Sequence, residues 1–201
     1  GNQIIKAGTL LMLGYSIDEV RNKTKYLSSS SNKVAIKKAI FPWSRFPAED
    51  TMLGPEMKAT GEVLGVGKEF GTALNKAYAA AGVEINNKEK GIFVTLSDSE
   101  KPNFIKTVNK YLELGFKVYS TEGTGKFLKT NGIDSVIVGK ADDLGQTSLT
   151  IIEDKLVSLV INTPTYANEL SDGWKIRRLS HETGVAVVSS VREADAFIEA
   201  F

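Results

Sequence analysis

The sequence has no cysteine and a single histidine, His181. Without cysteine there are no disulfides, thiolate nucleophiles or cysteine-based zinc sites, and one imidazole is too few for a conventional transition-metal centre. No apolar run approaches the ~18 residues of a membrane helix. The net charge of +1 gives no electrostatic reason to expect nucleic acid or an anionic membrane as a partner. These absences predict a cytoplasmic protein without a metal site.

The composition is that of a globular chain with two regions of different character. Of 201 residues, 42% are hydrophobic and 24% charged, which is enough to bury a core. Residues 1–67 predict a short buried helix over 3–14, a capping box in SIDE (16–19), a loop over 26–33 and a strand over 33–43. The stretch 45–67 has too many glycines and prolines for a helix. We expect residues 1–67 to be a fragment of a larger domain.

Residues 68–201 alternate between apolar strands and amphipathic helices. Strands are predicted at 91–96, 116–120, 134–139, 156–161 and 185–189, with helices in the intervening segments, before the first strand and after the last. Because the strands are apolar on both faces, the pattern predicts a parallel sheet covered on two sides. The predicted fold class is therefore α/β, a three-layer parallel sheet of the Rossmann or flavodoxin type.

Polar side chains follow every predicted strand. Because ligands of parallel sheets bind outside the carboxyl ends of the strands, hydroxyls and lysines there predict a phosphate site beside a helix start. "VYSTEGTGKF" (118–127) is the most glycine-rich of these turns, although it matches neither common phosphate-loop motif. The predicted site residues are Thr95, Lys101, Thr121, Thr124, Lys140, Asn162 and Thr163. Ser97 and Asp98 also follow the first strand, and Ser189 and Ser190 follow the fifth.

Each of these positions has a simpler interpretation. Hydroxyls after strands are common helix caps, and a lone lysine is often only a solvated surface residue. His181 is predicted to be a solvated helix-end residue rather than a general base. Asp142 and Asp143 fit either acid/base carboxylates or a polar turn, and the Arg177–Arg178 pair fits either phosphate binding or ion pairing. The sequence thus favours binding without catalysis.

A family resemblance is carried by several of these stretches. "FPWSRFPAEDTMLGPEMKATGEVLGVG" (41–67) resembles the signature near the end of the second ATP-grasp half of the carbamoyl-phosphate synthetase large chain. "STEGT" (120–124), "VGK" (138–140), "VINT" (160–163) and "IRR" (176–178) resemble the regulatory domain of that family, which has the methylglyoxal synthase fold. The resemblance implies two parts, an ATP-grasp fragment over 1–67 and a methylglyoxal synthase-like allosteric domain over 68–201.

The resemblance also implies a function. The family makes carbamoyl phosphate, for pyrimidine or arginine biosynthesis, from bicarbonate, two ATP and ammonia delivered by a glutaminase small subunit, with Mg²⁺ or Mn²⁺. This chain lacks the metal-binding residues of the ATP-grasp site and is expected to be non-catalytic and without a cofactor of its own. The family's effector contacts, for UMP or a related nucleotide monophosphate, fall on the seven predicted site residues. An oligomeric assembly is also implied.

Some positions depart from the family patterns. Methylglyoxal synthases have a His-Asp pair after the first strand of the domain, where this sequence has Ser97-Asp98, so lyase activity is not expected. Pro164 follows Asn-Thr and removes a backbone donor that nucleotide-responsive relatives have. Lys38 stands where ornithine-activated relatives have a glutamate, which implies no ornithine control. An interaction domain that has lost its effector is therefore an alternative to a nucleotide-binding module.

Overall fold

The structure is a computed structural model that describes residues 3–24, 32–46, 51–52, 57–83, 85, 91–163 and 171–201. The predicted loop over 26–33 falls almost wholly outside these residues, and so does Pro164. By its internal contacts the chain divides into two compact units, Gly1–Lys33 and Val34–Phe201. Among the described residues, no helix is long and apolar enough to cross a membrane.

The first unit contains two helices, α1 (Ile4–Met12) and α2 (Ile17–Lys23). The capping box is confirmed, because Ser16 accepts a hydrogen bond from the Glu19 backbone while the Glu19 carboxylate accepts one from the Ser16 backbone. The expectation that the first helix is buried was wrong, since Ala7 is its one buried residue. Its apolar side chains lie mostly in solvent, so the periodicity predicted the helix but not its burial.

The second unit opens with an antiparallel hairpin of β1 (Val34–Ile40) and β2 (Gly61–Gly67), with a 3-10 turn at Trp43–Arg45 after β1. Strand β2 was not predicted, because three of its seven residues are glycine. The structure explains two of them. A Cβ atom at Gly65 would overlap the backbone of α3 (Phe70–Ala80), and one at Gly67 would lie 2.8 Å from the Ala73 nitrogen. These glycines let the hairpin pack directly on α3.

This packing places the boundary between the compact units at residue 33, whereas the sequence put the domain boundary at residue 67. The hairpin shares its contacts with α3 and the rest of the second unit. The assignment of residues 1–67 to an ATP-grasp fragment concerns family origin and stays a prediction.

Five parallel strands form the central sheet, in the order β5-β4-β3-β6-β7. The strands are β3 (Gly91–Thr95), β4 (Val118–Ser120), β5 (Val136–Ile137), β6 (Val157–Asn162) and β7 (Ala186–Val188). The helices that follow α3 are α4 (Lys101–Glu113), α5 (Glu122–Thr130), α6 (Thr150–Glu153), α7 (Asp172–Thr183) and α8 (Val191–Phe197), with a 3-10 turn at Ile198–Ala200.

The sheet has a hydrophobic core on each face. Neighbouring residues of β3 point to opposite sides, as strand geometry requires. Ile92 and Val94 pack with α3, α4, α5 and α8, whereas Phe93 packs with α6 and α7. The predicted three-layer α/β fold is therefore confirmed.

The strand order reverses direction between β3 and β6. Chain connections leave β3 toward β4 on one side and lead back from β6 toward β7 on the other. A crevice at the carboxyl ends of the strands opens at such a point and is the usual ligand position in this architecture. The residues after β3, β4 and β6 therefore lie at the expected ligand position.

Candidate anion-binding site

A cavity of about 580 Å³ lies at the carboxyl ends of the strands. The sequence-predicted residues Thr95, Thr121 and Lys140 line it. Further lining residues come from the start of α5, from the segment after β5 and from the first turn of α7; they are Glu122, Gly123, Lys126, Ile137, Val138, Gly139, Asp143, Ser148, Asp172, Gly173 and Ile176.

Three threonine hydroxyls converge at this edge of the sheet. The Thr121 hydroxyl lies 3.4 Å from the Thr95 hydroxyl and 3.3 Å from the Thr124 hydroxyl. Thr124 is buried, and its oxygen accepts a hydrogen bond of 3.1 Å from the Leu96 backbone. That bond fixes the position of Thr124 across the two loops. The two threonines in "STEGT" therefore hold each other and the end of β3 together.

The hydroxyls surround the N-terminus of α5. Thr121 is the N-cap residue with extended dihedrals, but its side chain makes no capping bond. The first backbone N–H groups of a helix lack partners within the helix and attract anions. The start of α5 also sits close to the sheet, because a Cβ at Gly125 would lie 2.7 Å from the Ser120 hydroxyl and 2.9 Å from Ile137. Glycine at position 125 permits this approach.

Lys101 brings a positive charge to the same place. Its side chain is only 15% exposed, and its Nζ lies 2.5 Å from Asp98 Oδ1. The same Nζ would be 3.9 Å from a Cβ at Gly123, in the first turn of α5. Hydrogen bonding and charge from Lys101 hold the pKa of the Asp98 carboxyl below its usual range. A buried ammonium beside a helix N-terminus is well suited to bind an anion.

Lys140 and Asp143 line the cavity from the segment after β5. The Lys140 side chain is exposed, and its backbone nitrogen donates a hydrogen bond of 2.7 Å to Asp143 Oδ2. This bond closes the turn after β5 and explains the polar turn predicted for Asp143. Asp142 is instead paired with Lys175, at 2.7 Å. A turn-closing hydrogen bond and an exposed ion pair are structural roles, so both carboxylates fit the structural interpretation.

Asn162 and Thr163 connect β6 to the site. The Asn162 side-chain oxygen accepts a hydrogen bond of 2.8 Å from buried Arg177, and the amide lies beside Gly173 at the start of α7. The Thr163 hydroxyl accepts one of 2.8 Å from the Ser97 backbone. Thr163 thereby ties the loop after β3 to the end of β6, as Thr124 ties it to α5.

The structure thus brings the seven predicted residues to one edge of the sheet, three of them lining the cavity and four beside it. The serines after β7 have a different role. Ser190 caps α8 by accepting from the Glu193 backbone, while Ser189 donates to the Glu193 carboxylate. For these two serines the capping interpretation was the better one.

The sequence did not point to Ser148, Asp172, Gly173 or Ile176, although they line the cavity. Position in the fold, and not residue type, brings them there. Ser148 comes nine residues after Gly139, to which a backbone bond returns it, and the other three lie in the first turns of α7. No sequence motif marks these four residues as part of the cavity wall. Among the described residues, no group of three acidic or histidine side chains is gathered that could hold a metal ion.

A second, smaller cavity of about 280 Å³ lies at the other end of α7. It is lined by Lys38, Ala39, Ile40, Phe41, Trp43, Ala81, Val83, His181 and Glu182. The Arg178 guanidinium donates to the carbonyls of Trp43 and Phe46, each at 2.7 Å, and to Glu182 at 2.6 Å. Arg178 therefore holds the turn after β1 against α7.

His181 is not the solvated residue that the sequence predicts. Its ring centroid lies 5.9 Å from that of Trp43, and it is half-buried. Burial, followed by the positive charges of Lys38, Arg178 and Arg177, lowers the pKa of the His181 imidazole to about 4. The ring is therefore neutral at physiological pH and packs as part of the interior.

The five-stranded parallel sheet with helices on both faces defines the class of the protein, an α/β domain. The family model described as MGS-like domain matches residues 103–189. Along its whole length the chain is similar to the C-terminal part of carbamoyl phosphate synthase large chains, so the resemblance found in the sequence is confirmed.

Three relatives document the similarity. The carbamoyl phosphate synthase large chain, C-terminal section, of Aquifex aeolicus is 35% identical over 100% of this chain and 40% of that protein. The corresponding section of Methanocaldococcus jannaschii is 34% identical over 100% of this chain and 34% of that protein. The carbamoyl phosphate synthase large chain of Brucella suis is 36% identical over 100% of this chain and 18% of that protein. The chain thus spans well under half the length of these relatives.

Proposed function

We propose that the chain is a regulatory portion of a carbamoyl-phosphate synthase large subunit and that its larger cavity binds a nucleotide monophosphate such as UMP. In this proposal the parent subunit is an ATP-dependent ligase that makes carbamoyl phosphate, with a glutaminase subunit as its ammonia source. The present chain is non-catalytic and passes the free energy of effector binding to the rest of the subunit.

One observation carries the proposal: three threonine hydroxyls and the Lys101 ammonium meet at the N-terminus of α5. Hydroxyls, backbone N–H groups and an ammonium are the donors that a phosphate dianion requires. The cavity of about 580 Å³ is large enough for a ligand bigger than phosphate alone. The similarity to synthase large chains supports the assignment of the regulated enzyme.

Thermal unfolding of the 201-residue chain tests the proposal. We expect millimolar UMP to raise the unfolding temperature, because a ligand at 100 times its Kd stabilises the folded state by about 2.7 kcal/mol. IMP and inorganic phosphate serve as comparison ligands. Uridine without phosphate is the control and should give no shift.

The alternative is an interaction domain that has lost its effector. It would be supported if UMP, IMP and phosphate all left the unfolding temperature unchanged.

A further inference from the structure

Ser148 has a buried hydroxyl without a hydrogen-bond partner among the described residues. The residue is 1% exposed and lines the larger cavity. An unsatisfied buried hydroxyl lowers stability, because folding removes its bonds to water without replacing them. Such a group at the wall of a cavity calls for an explanation, and a bound ligand supplies one.

The backbone around Ser148 is firmly held. Its N–H donates to the Gly139 carbonyl at 3.0 Å. The residues on either side are fixed by Thr147 and Thr150, since the backbone N–H of each donates to the hydroxyl of the other, at 2.9 and 3.2 Å. The unpartnered hydroxyl is therefore not the product of a loosely placed loop.

The cavity wall that Ser148 shares is partly apolar. Ile137 and Ile176 also line it, whereas the threonine hydroxyls lie at the start of α5. Aliphatic side chains in a wall that also carries polar groups suit a flat heterocyclic ring, whose faces are apolar and whose edge carries hydrogen-bonding atoms.

We propose that the Ser148 hydroxyl bonds the edge of a nucleobase in this cavity and thereby makes it selective for nucleotides over simple phosphate esters. This inference rests on the proposed function, which places the phosphate at α5. A serine hydroxyl both donates and accepts, so it can pair with a ring carbonyl or a ring N–H. The hydroxyl is enclosed in the free protein, so this pairing requires rotation about the Cα–Cβ bond to bring it into the cavity.

Ser158 provides a matched control. It lies on β6, is buried, and also has a hydroxyl without a partner among the described residues. Unlike Ser148 it does not line the cavity. Serine-to-alanine changes at both positions remove an unpartnered hydroxyl, so neither is expected to lower the unfolding temperature of the free protein.

Calorimetric titration of the full 201-residue chain tests the proposal with three probes: UMP, ribose 5-phosphate and inorganic phosphate. We expect Ser148→Ala to raise the Kd for UMP about five-fold, the effect of one lost neutral hydrogen bond. The Kd values for ribose 5-phosphate and phosphate, which have no nucleobase, should not change. Ser158→Ala should leave all three Kd values unchanged.

The outcomes separate this inference from the proposed function. Wild-type protein that binds none of the three probes overturns both. If wild-type protein binds phosphate and UMP but Ser148→Ala does not alter the Kd for UMP, only the role of Ser148 is overturned. Equal losses of affinity for UMP and ribose 5-phosphate would also overturn it, since the nucleobase would not be involved. Ser148→Cys, which keeps the size of the side chain with a weaker donor, should give the same selective loss if the alanine variant folds poorly.

Discussion

The two ends of helix α7 differ in what they do with polar groups. At its N-terminal end the helix borders a cavity of about 580 Å³ with hydroxyls, glycines and charges at its wall. At its C-terminal end the polar groups are already engaged, since Arg178 binds two backbone carbonyls and a carboxylate. Polar groups with unused hydrogen-bonding capacity indicate a binding site. Polar groups that satisfy one another indicate a contact that only stabilises the fold, here called a structural joint.

Arg178 gives the strongest test of the structural end. Arg178→Met keeps much of the side-chain volume but leaves the carbonyls of Trp43 and Phe46 without their donor. We expect a loss of up to about 3 kcal/mol in the free energy of unfolding, because the Trp43 carbonyl is buried and an unsatisfied buried group costs ~1–3 kcal/mol. Urea denaturation measures this loss.

The matched control on the same helix is Lys175→Ala, which breaks an exposed ion pair with Asp142. Exposed pairs contribute little, about 0–1 kcal/mol. Equal destabilisation by the two variants would contradict the assignment of Arg178 to a structural joint.

Lys101 tests the binding end. We expect Lys101→Ala to weaken UMP binding by about 1.5–3 kcal/mol, the range for hydrogen bonds to charged groups, which corresponds to a roughly 10- to 150-fold higher Kd. Titration calorimetry of the variant measures the change. Lys76→Ala is the control, because Lys76 is exposed and donates to the Val66 carbonyl on β2, away from the cavity. Similar effects of the two substitutions would mean that the anion site is misplaced.

His181 should make stability depend on pH. Its folded pKa of about 4 is below the 6.5 of an unperturbed imidazole, so between pH 4 and pH 6.5 the unfolded state binds more protons than the folded state. The contribution of His181 to the free energy of unfolding is therefore complete above pH 6.5 and is lost as the pH falls toward 4. The full difference corresponds to about 3 kcal/mol, and partial exposure of the ring reduces it to about 2 kcal/mol.

Urea denaturation at several pH values between 4 and 7 measures this dependence. His181→Gln is the control, because it removes the titrating ring and should flatten the pH dependence in that interval. An unchanged slope in the variant would assign the acid sensitivity to other groups. UMP affinity should be the same in both proteins at pH 7, since His181 lines only the smaller cavity.

Much of the sheet and part of the site could be predicted from the sequence. Short apolar runs identify the buried strands of a parallel sheet directly. Thr95, Thr121 and Asn162 lie at the ends of such strands, and the carboxyl ends of parallel strands lie at one edge of the sheet. Strand β2 gave no such signal, because its glycines serve close packing on α3 rather than strand propensity. Ser148 and Ile176 also could not be predicted, since tertiary packing alone brings them to the cavity.

His181 and Arg178 illustrate a second limit. The sequence predicts a solvated His181 and leaves Arg178 open between phosphate binding and ion pairing, because charged and titratable side chains are usually exposed. The turn after β1 supplies two carbonyls to the guanidinium and an indole to the imidazole. That turn is more than 130 residues from Arg178 and His181 in sequence, so no local sequence pattern predicts the contact.

The bond between Arg177 and Asn162 has a consequence for the end of β6. A guanidinium can only donate, so the amide must turn its oxygen toward it. Arg177 therefore decides which way the Asn162 amide lies, and its influence on the candidate site passes through that one side chain.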